Sequence, residues 1–293
     1  MPQIFTENDD MTNDMAHALL GRKAHFDDVC ALPLVRRVGA LLDRDLNLKD
    51  GDVLPRGWQA ILFTSFAPQS ALGKDGVPQQ ASLVPNPDPA IWPRKVFGGR
   101  RTEFFGDLHI GSRVTRESEI VGAKEKKAGN GRLLIVTVRS QVFEEGTTEP
   151  VLVEEQDHIF RDADHAIAAS TQSQHEQEPR TASIRQSIVV DPVMLFRYSA
   201  ITFNAHRIHF DYPYTTQTEG YRGLLVTGPL PTLLMLEMIR DQLTHGPSSM
   251  IARNVRPLYC NEKVTLCATP QSEGWTLWAE NEAGEVAVSV SLK

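Results

Sequence analysis

Between Arg197 and Arg222 the chain gathers Arg197, Asn204, His206, Arg207, His209, Asp211, Glu219 and Arg222, including two of its nine histidines. Polar groups this dense beside an apolar run need partners or a task. His206 and His209 lie three residues apart and Asp211 follows two later, so one reading is a facial triad for iron. Three ligands so close together demand a specific turn, and no cysteine or further histidine stands nearby, which makes metal the minor reading. The plainer one is that both imidazoles are hydrogen-bonded loop residues. A second group, Thr227-Gly228-Pro229, opens the apolar run. A helix N-terminus carries unpaired N–H groups and partial positive charge, which suits an oxygen gaining negative charge. Gly228 permits close approach and Pro229 fits a first helical turn, although Gly-Pro is also an ordinary helix start. Arg197, Arg207 and Arg222 could grip a carboxylate or phosphate in bidentate fashion, or simply be solvated.

The elements around these residues follow from periodicity. A helix is expected from Asp27, with Val29, Leu32, Val35, Val38, Leu41 and Leu42 on one face and Asp27 or Asp28 as its cap. A long proline-rich stretch from Gly51 to Gly99 has little regular periodicity, and loops of that length are usually functional. Strands dominate after Gly99: 113–121 and 132–143, joined through KEKKAGNG as a hairpin turn with a solvated lysine cluster, then 151–160. The polar segment 163–179 is the best linker. Beyond it, 183–190 reads as a strand, Asp191-Pro192 caps a helix to about Tyr198, and 224–243 reads as an apolar helix started at Thr227-Gly228-Pro229. Strands at 250–258, 263–269, 274–280 and 285–292 close the chain. A long helix and antiparallel strands in each half imply α+β, and the two halves read as candidate diverged copies.

Composition excludes several classes. At 293 residues, 41% hydrophobic and 23% charged, the chain is neither fibrous nor wholly disordered. A net charge of −7 leaves no electrostatic footprint for nucleic acid, and no basic run suits a membrane surface. The longest uncharged apolar stretch, 223–236, is broken by Gly228, Pro229 and Pro231, so no span is expected. The acidic start MPQIFTENDD lacks the apolar core of a secretory signal. Cys30, Cys260 and Cys267 show no metal or disulfide spacing and read as reduced thiols. The expectation is a cytoplasmic protein, with the mitochondrial matrix as the other compartment.

The run RYSAITFNAHRIHFD…EGYRGLLVTGPL resembles the MaoC-like hotdog hydratases. It is nearest their subgroup of hydroxyacyl-thioester dehydratase type 2, mesaconyl-C4-CoA hydratase and itaconyl-CoA hydratase. PRGWQAILFTSFAPQSALGKDGVP, FGGRRTEFFGDLHIGSRVTRES, GRLLIVTVRSQV and EEQDHIFRDA are similar to that subgroup's N-terminal domain, so the resemblance covers nearly the whole chain. It implies a double hotdog, two antiparallel sheets each wrapped around a long helix. The implied units are 1–162 for substrate binding, a linker at 163–182, and 183–293 for catalysis, because only the second half carries the NxHRIH form. The wider motif is D-x-N-P-x-H. Its His becomes His209, the implied base, and its Asp becomes Asn204, which cannot exchange a proton at neutral pH. Asn204 would orient water through its carbonyl oxygen, His206 would supply the missing proton-transfer group, and the Gly228 N–H beside Thr227 would hold the thioester oxygen. Arg207 is the first choice for a substrate carboxylate, with Arg197 and Arg222 behind it. Trp58, Phe63 and Phe66 would be core or acyl-pocket lining.

The resemblance implies a hydro-lyase on an acyl-CoA thioester, itaconyl-CoA or mesaconyl-C4-CoA giving citramalyl-CoA, acting as a homodimer without metal or other cofactor. The alternatives are a 3-hydroxyacyl-ACP dehydratase of type II fatty-acid synthesis, a thioesterase, and a non-catalytic acyl-thioester-binding protein.

Overall fold

The computed structural model describes residues 18–45, 47–78, 83–84, 91–92, 94–128, 131–162 and 180–293. Among these, ten strands form one continuous antiparallel sheet. They are β1 (Lys23–Val29), β2 (Arg94–Phe104), β3 (Arg113–Ala128), β4 (Gly131–Glu144), β5 (Leu152–Arg161), β6 (Ile184–Val189), β7 (Ser249–Asn254), β8 (Lys263–Gln271), β9 (Gly274–Glu280) and β10 (Val286–Leu292). Three helices accompany them: α1 (Leu32–Leu41), α2 (Pro192–Ile201) and α3 (Pro229–Ile239). The strand order is β1-β3-β4-β5-β2-β7-β10-β9-β8-β6. Reading inward from each edge, the two halves have the same order: first strand, third, fourth, fifth, second. The topology therefore agrees with diverged copies.

Local chemistry explains the elements. The Asp191 carboxylate accepts the Met194 N–H at 2.7 Å, and Pro192 takes the first turn of α2. α3 is apolar all round, with Leu230, Leu233, Met235, Leu236 and Ile239 buried, so it has to lie inside the molecule and not on its surface. On β10, Val286, Val288, Val290 and Leu292 alternate into the core. The one acid on α3, Glu237, is buried; it accepts Trp58 Nε1 at 2.8 Å and Arg240 Nε at 2.7 Å, with Arg44 Nε 3.5 Å away. These partners offset the cost of a buried charge and tie α3 to the N-terminal half.

Several expectations are corrected. The chain stays a strand through Val29, pairing Lys23 with Glu119 and Val29 with Arg113, so the first helix starts at Leu32. Neither Asp27 nor Asp28 caps it; Ala31 holds the cap position, and Asp28 instead accepts the Phe63 N–H at 2.6 Å. The lysines of KEKKAGNG continue β3, with Lys126 opposite Leu133 and Lys127 opposite Arg132. Gly129 and Asn130 lie outside the described residues, as do the polar residues 1–15 and the linker 163–179. β2 begins at Arg94, before Gly99, and the apolar helix begins at Pro229, because Leu225 is bridged to Tyr259 instead. Between α1 and β2 the described residues hold short 3₁₀ turns, Trp58–Ile61 and Gln69–Ala71, where α3 stands in the second half. Trp58 is fully buried and Phe66 is exposed, so Phe66 lines no core. Among the described residues no helix is long and apolar enough to cross a membrane.

The halves join where β2 pairs with β7, from Gly99 opposite Arg253 to Glu103 opposite Ser249. Gly99 has φ +155°, and a Cβ there would sit 2.4 Å from the Ala252 carbonyl oxygen. Gly99→Ala is therefore expected to separate the strands locally and destabilise the protein by about 1–3 kcal/mol. Thermal unfolding checks this; an unchanged midpoint would refute the close approach.

Candidate active site

Thr202 follows the last turn of α2, and the chain then doubles back through Phe203 at φ +48°. Asn204 anchors this turn at both ends: its N–H donates to Ser199 O at 2.8 Å and its side-chain oxygen accepts the His206 N–H at 3.0 Å. The oxygen expected to orient water is thus engaged in shaping the loop. A 3₁₀ turn, Arg207–His209, buries His209. His209 Nδ1 lies 2.9 Å from the Leu225 carbonyl oxygen. A carbonyl only accepts, so Nδ1 carries the hydrogen and Nε2 keeps its lone pair. His206 meets His209 edge-to-face, with centroids 5.5 Å apart at 85°.

Burial sets the charge of both rings. The His209 pKa falls to about 4, chiefly because burial penalises the cation; the Leu225 bond opposes this and His206 adds to it. His206 is also pushed down to about 4, first by burial and then by the Lys95 cation. Both imidazoles are therefore neutral near pH 7. His206 offers an N–H or a lone pair there, not the imidazolium proton.

The backbone brings the helix N-terminus alongside. Leu225 N–H donates to Ile208 O at 3.0 Å, and Val226 N–H to Leu258 O at 2.8 Å, so the segment entering α3 is bound to the His209 turn. Thr227 is buried with an unpartnered hydroxyl, and Gly228 is the N-cap of α3. Gly228 has an ordinary helical φ of −50°; its missing side chain leaves room beside the Asn254 amide, which a Cβ would meet at 3.4 Å.

The three predicted arginines are engaged elsewhere. Arg207 donates to Asp211 through Nε at 2.9 Å and Nη2 at 2.7 Å, donates to Lys74 O at 2.8 Å, and stacks over Tyr214. Its N–H also binds Asp75 O at 2.8 Å, so it clamps the 73–78 loop onto the histidine turn. Gly76 makes that docking close: at φ +83°, a Cβ would fall 1.9 Å from the Ala205 oxygen. Arg222 pairs with Glu262 at 2.6 Å over Tyr259, and Arg197 donates to Ala40 O at 3.0 Å. Asp211 accepts the Tyr214 N–H as well as Arg207, and Glu219 accepts the Tyr214 hydroxyl, so both acids structure the loop. His206, His209 and Asp211 form no metal-ligand cluster among the described residues.

The N-terminal half supplies groups that the local sequence did not signal. Lys95 on β2 lowers the pKa of both His206 and His158, the latter pushed to about 3 mainly by burial. Burial also lowers Lys95 itself, with Asp75 opposing. Finding this group requires the β2–β5 register, which sets Lys95 opposite Phe160 and Phe97 opposite His158. A cavity of about 200 Å³ opens beside these strands, lined by Gln59, Phe63, Arg100, Arg116, Glu154 and, from the other half, Thr202.

Two hotdog units in one chain, with a neutral imidazole beside the N-terminus of a central helix, define a thioester-handling class of double-hotdog proteins. The hydroxyacyl-thioester dehydratase type 2 family matches over residues 57–260, and the chain belongs to that family. The mesaconyl-C(4)-CoA hydratase of Chloroflexus aurantiacus is 34% identical over 277 residues, covering 94% of this chain and 96% of the relative. Among solved structures, a MaoC-like dehydratase from Phytophthora capsici superposes with a TM-score of 0.65 at 14% identity, covering 98% of each chain. A Mycobacterium tuberculosis protein with a double hotdog fold gives 0.58 at 12% identity, covering 96% of each chain. The fold is a double hotdog and the protein is a hydro-lyase of the hydratase/dehydratase type.

The buried histidines predict an acid-sensitive fold. Their unfolded pKa is near 6.5 and their folded values are about 3 to 4. Between those limits the unfolded chain binds more protons, so stability present above pH 6.5 is lost as pH falls towards 4. Each histidine contributes up to ~1.4 kcal/mol per pH unit to that slope. Unfolding midpoints measured from pH 7 to 4 should fall, and His158→Gln should flatten the fall; a flat wild-type profile would contradict the burial.

Proposed function

We propose that the protein adds water to an unsaturated C5 dicarboxylyl-CoA, mesaconyl-C4-CoA or itaconyl-CoA, forming citramalyl-CoA, and catalyses the reverse dehydration. One observation carries the mechanism: His209 is held with Nδ1 on the Leu225 carbonyl, leaving Nε2 as a base. Nε2 takes a proton from water as the oxygen bonds to the β-carbon. Electrons shift onto the thioester oxygen, which the Gly228 N–H stabilises at the positive end of α3. The imidazolium then returns its proton to the α-carbon, closing the balance for mesaconyl-C4-CoA with one water added; in itaconyl-CoA, whose double bond joins the β- and γ-carbons, a proton first moves from the α-carbon to the γ-carbon. A ring whose cation is disfavoured by burial is a reluctant base but a strong acid on the return step. Asn204 positions the turn, and the neutral His206 ring limits how His209 can tilt.

In this reading residues 1–162 contribute substrate binding and 183–293 the chemistry. The choice of C5 dicarboxylate rests on similarity to the C. aurantiacus hydratase along nearly the full chain. A net charge of −7 disfavours docking of an acidic acyl carrier, which sets the ACP dehydratase second. A cytoplasmic homodimer completes the proposal.

The test is an absorbance assay with mesaconyl-C4-CoA, itaconyl-CoA and crotonyl-CoA, with products identified by mass. The C5 substrates should gain one water at the higher kcat/KM, and His209→Ala should lose about 10²–10⁴-fold in kcat. Equal turnover of crotonyl-CoA would remove the dicarboxylate assignment. Retained activity in His209→Ala would remove the base assignment. Asn204→Ala should lower kcat less, since it loosens the turn without removing the base.

A further inference from the structure

The cavity beside Thr202 contains two buried donors with no acceptor. Gln59 is 9% exposed, and its orientation is fixed because its side-chain oxygen accepts the Gly57 N–H at 2.7 Å. Its Nε2 is consequently a donor at the cavity, and it has no partner. Arg116 Nε is buried and unpartnered in the same cavity. The Arg116 guanidinium lies between two rings, 4.4 Å from the Phe26 centroid and 4.9 Å from that of Phe63. Phe63 is itself held at φ +56°, a backbone conformation costly for an aromatic residue, by the Asp28 carboxylate on its N–H.

The acids nearby do not satisfy these donors. Glu154 accepts the Thr102 hydroxyl at 3.0 Å and Gln156 Nε2 at 2.6 Å, and it lies 3.5 Å from Arg100 Nη1. Arg100 and Glu154 thus largely balance each other. Asp28 attracts Arg116 but gives its oxygens to the N–H groups of Val29 and Phe63. Arg116 makes no ion pair within 4.0 Å among the described residues. A buried guanidinium nitrogen and a buried amide donor left without acceptors are expensive, and native proteins keep such pairs where something arrives to accept from them.

We propose that Gln59 and Arg116 bind the free carboxylate of the acyl group, which makes this cavity the specificity pocket for dicarboxylic thioesters. The inference rests on the dicarboxylyl-CoA reading above and assigns its recognition to the N-terminal half, in place of Arg207. The geometry suits that ligand. A small cavity of about 200 Å³ with Phe63 in its wall admits a short acid group more readily than the bulky phosphates of CoA. Thr202, at the cavity wall, stands two residues before Asn204, so the cavity adjoins the start of the turn that carries the histidines.

The test compares binding of succinyl-CoA and butyryl-CoA, which have the same chain length, carry no double bond to hydrate, and differ in the terminal carboxylate. Titration calorimetry of the wild-type protein should show succinyl-CoA bound at least about tenfold more tightly. Gln59→Glu keeps an oxygen for Gly57 and supplies Arg116 with an internal carboxylate, so it should fold at least as stably. It should also bring the affinity ratio to one or below. Arg116→Gln should abolish the preference too; if it fails to fold, Gln59→Glu decides. A wild-type ratio near one, or a preference that survives Gln59→Glu, overturns the proposal. Failure of the hydratase reading looks different: no turnover of any unsaturated thioester while the succinyl-CoA preference and its loss in Gln59→Glu persist.

Discussion

The pairing of β2 with β7 is the interaction on which the rest depends. Each half has one face to bury and one strand, β2 or β7, that would be an open edge if the half stood alone. Joining those edges makes a single ten-strand sheet, and it sets the N-terminal cavity against the loop that carries the histidines. The absence of a side chain at Gly99 lets the strands approach. Two further ties then work in the same direction. Trp58 and Arg44 hold Glu237 on α3, and Arg207 holds the 73–78 loop. One fixes the helix whose N-terminus is proposed to hold the thioester oxygen, and the other fixes the turn bearing the proposed base. The geometry of the histidine turn is thus set by both halves.

That arrangement also explains why the site is so dry. The N-terminal half covers the histidine turn with β2 and the 73–78 loop, and burial is what depresses the imidazole pKa values. Lys95 adds to the effect on His206 and His158, so the two halves communicate electrostatically as well as by packing. A desolvated pocket strengthens the attraction between a helix N-terminus and a developing oxyanion, because less water screens it. Fold stability at acid pH is the corresponding cost.

The sequence made the strands of the second half and the cap at Asp191 legible because they rest on local signals: alternation, and an Asp-Pro start. It also located the histidine turn, since polar density beside an apolar run is visible in one dimension. What it missed depends on partners far away in the chain. Val29 fits the helical stripe expected from Asp27, yet β3 offers Lys23–Val29 a full antiparallel ladder, and that tertiary pairing overrides the local pattern. The arginines show a related effect. Arg207 lies beside the histidines in sequence, but Asp211 and Lys74 take up its donors. Arg116, with no motif around it, keeps a buried nitrogen without a partner, as does Arg161.

Asn204 is the residue whose chemistry most constrains the mechanism. A carboxylate at that position could accept the His206 N–H equally well, so shaping the turn does not by itself require an amide. The difference is charge. An anion two residues from His206, beside a ring that contacts His209, would favour both imidazolium cations and raise their pKa values. His209 would then hold the proton it takes from water more firmly and return it to carbon less readily. With an amide, the turn is kept and the rings stay neutral, so a single imidazole can run both halves of the addition. The substitution of Asn for Asp therefore fits a one-base hydratase better than an inactivated site, because the residues that hold His209 in its working tautomer do not include Asn204 at all.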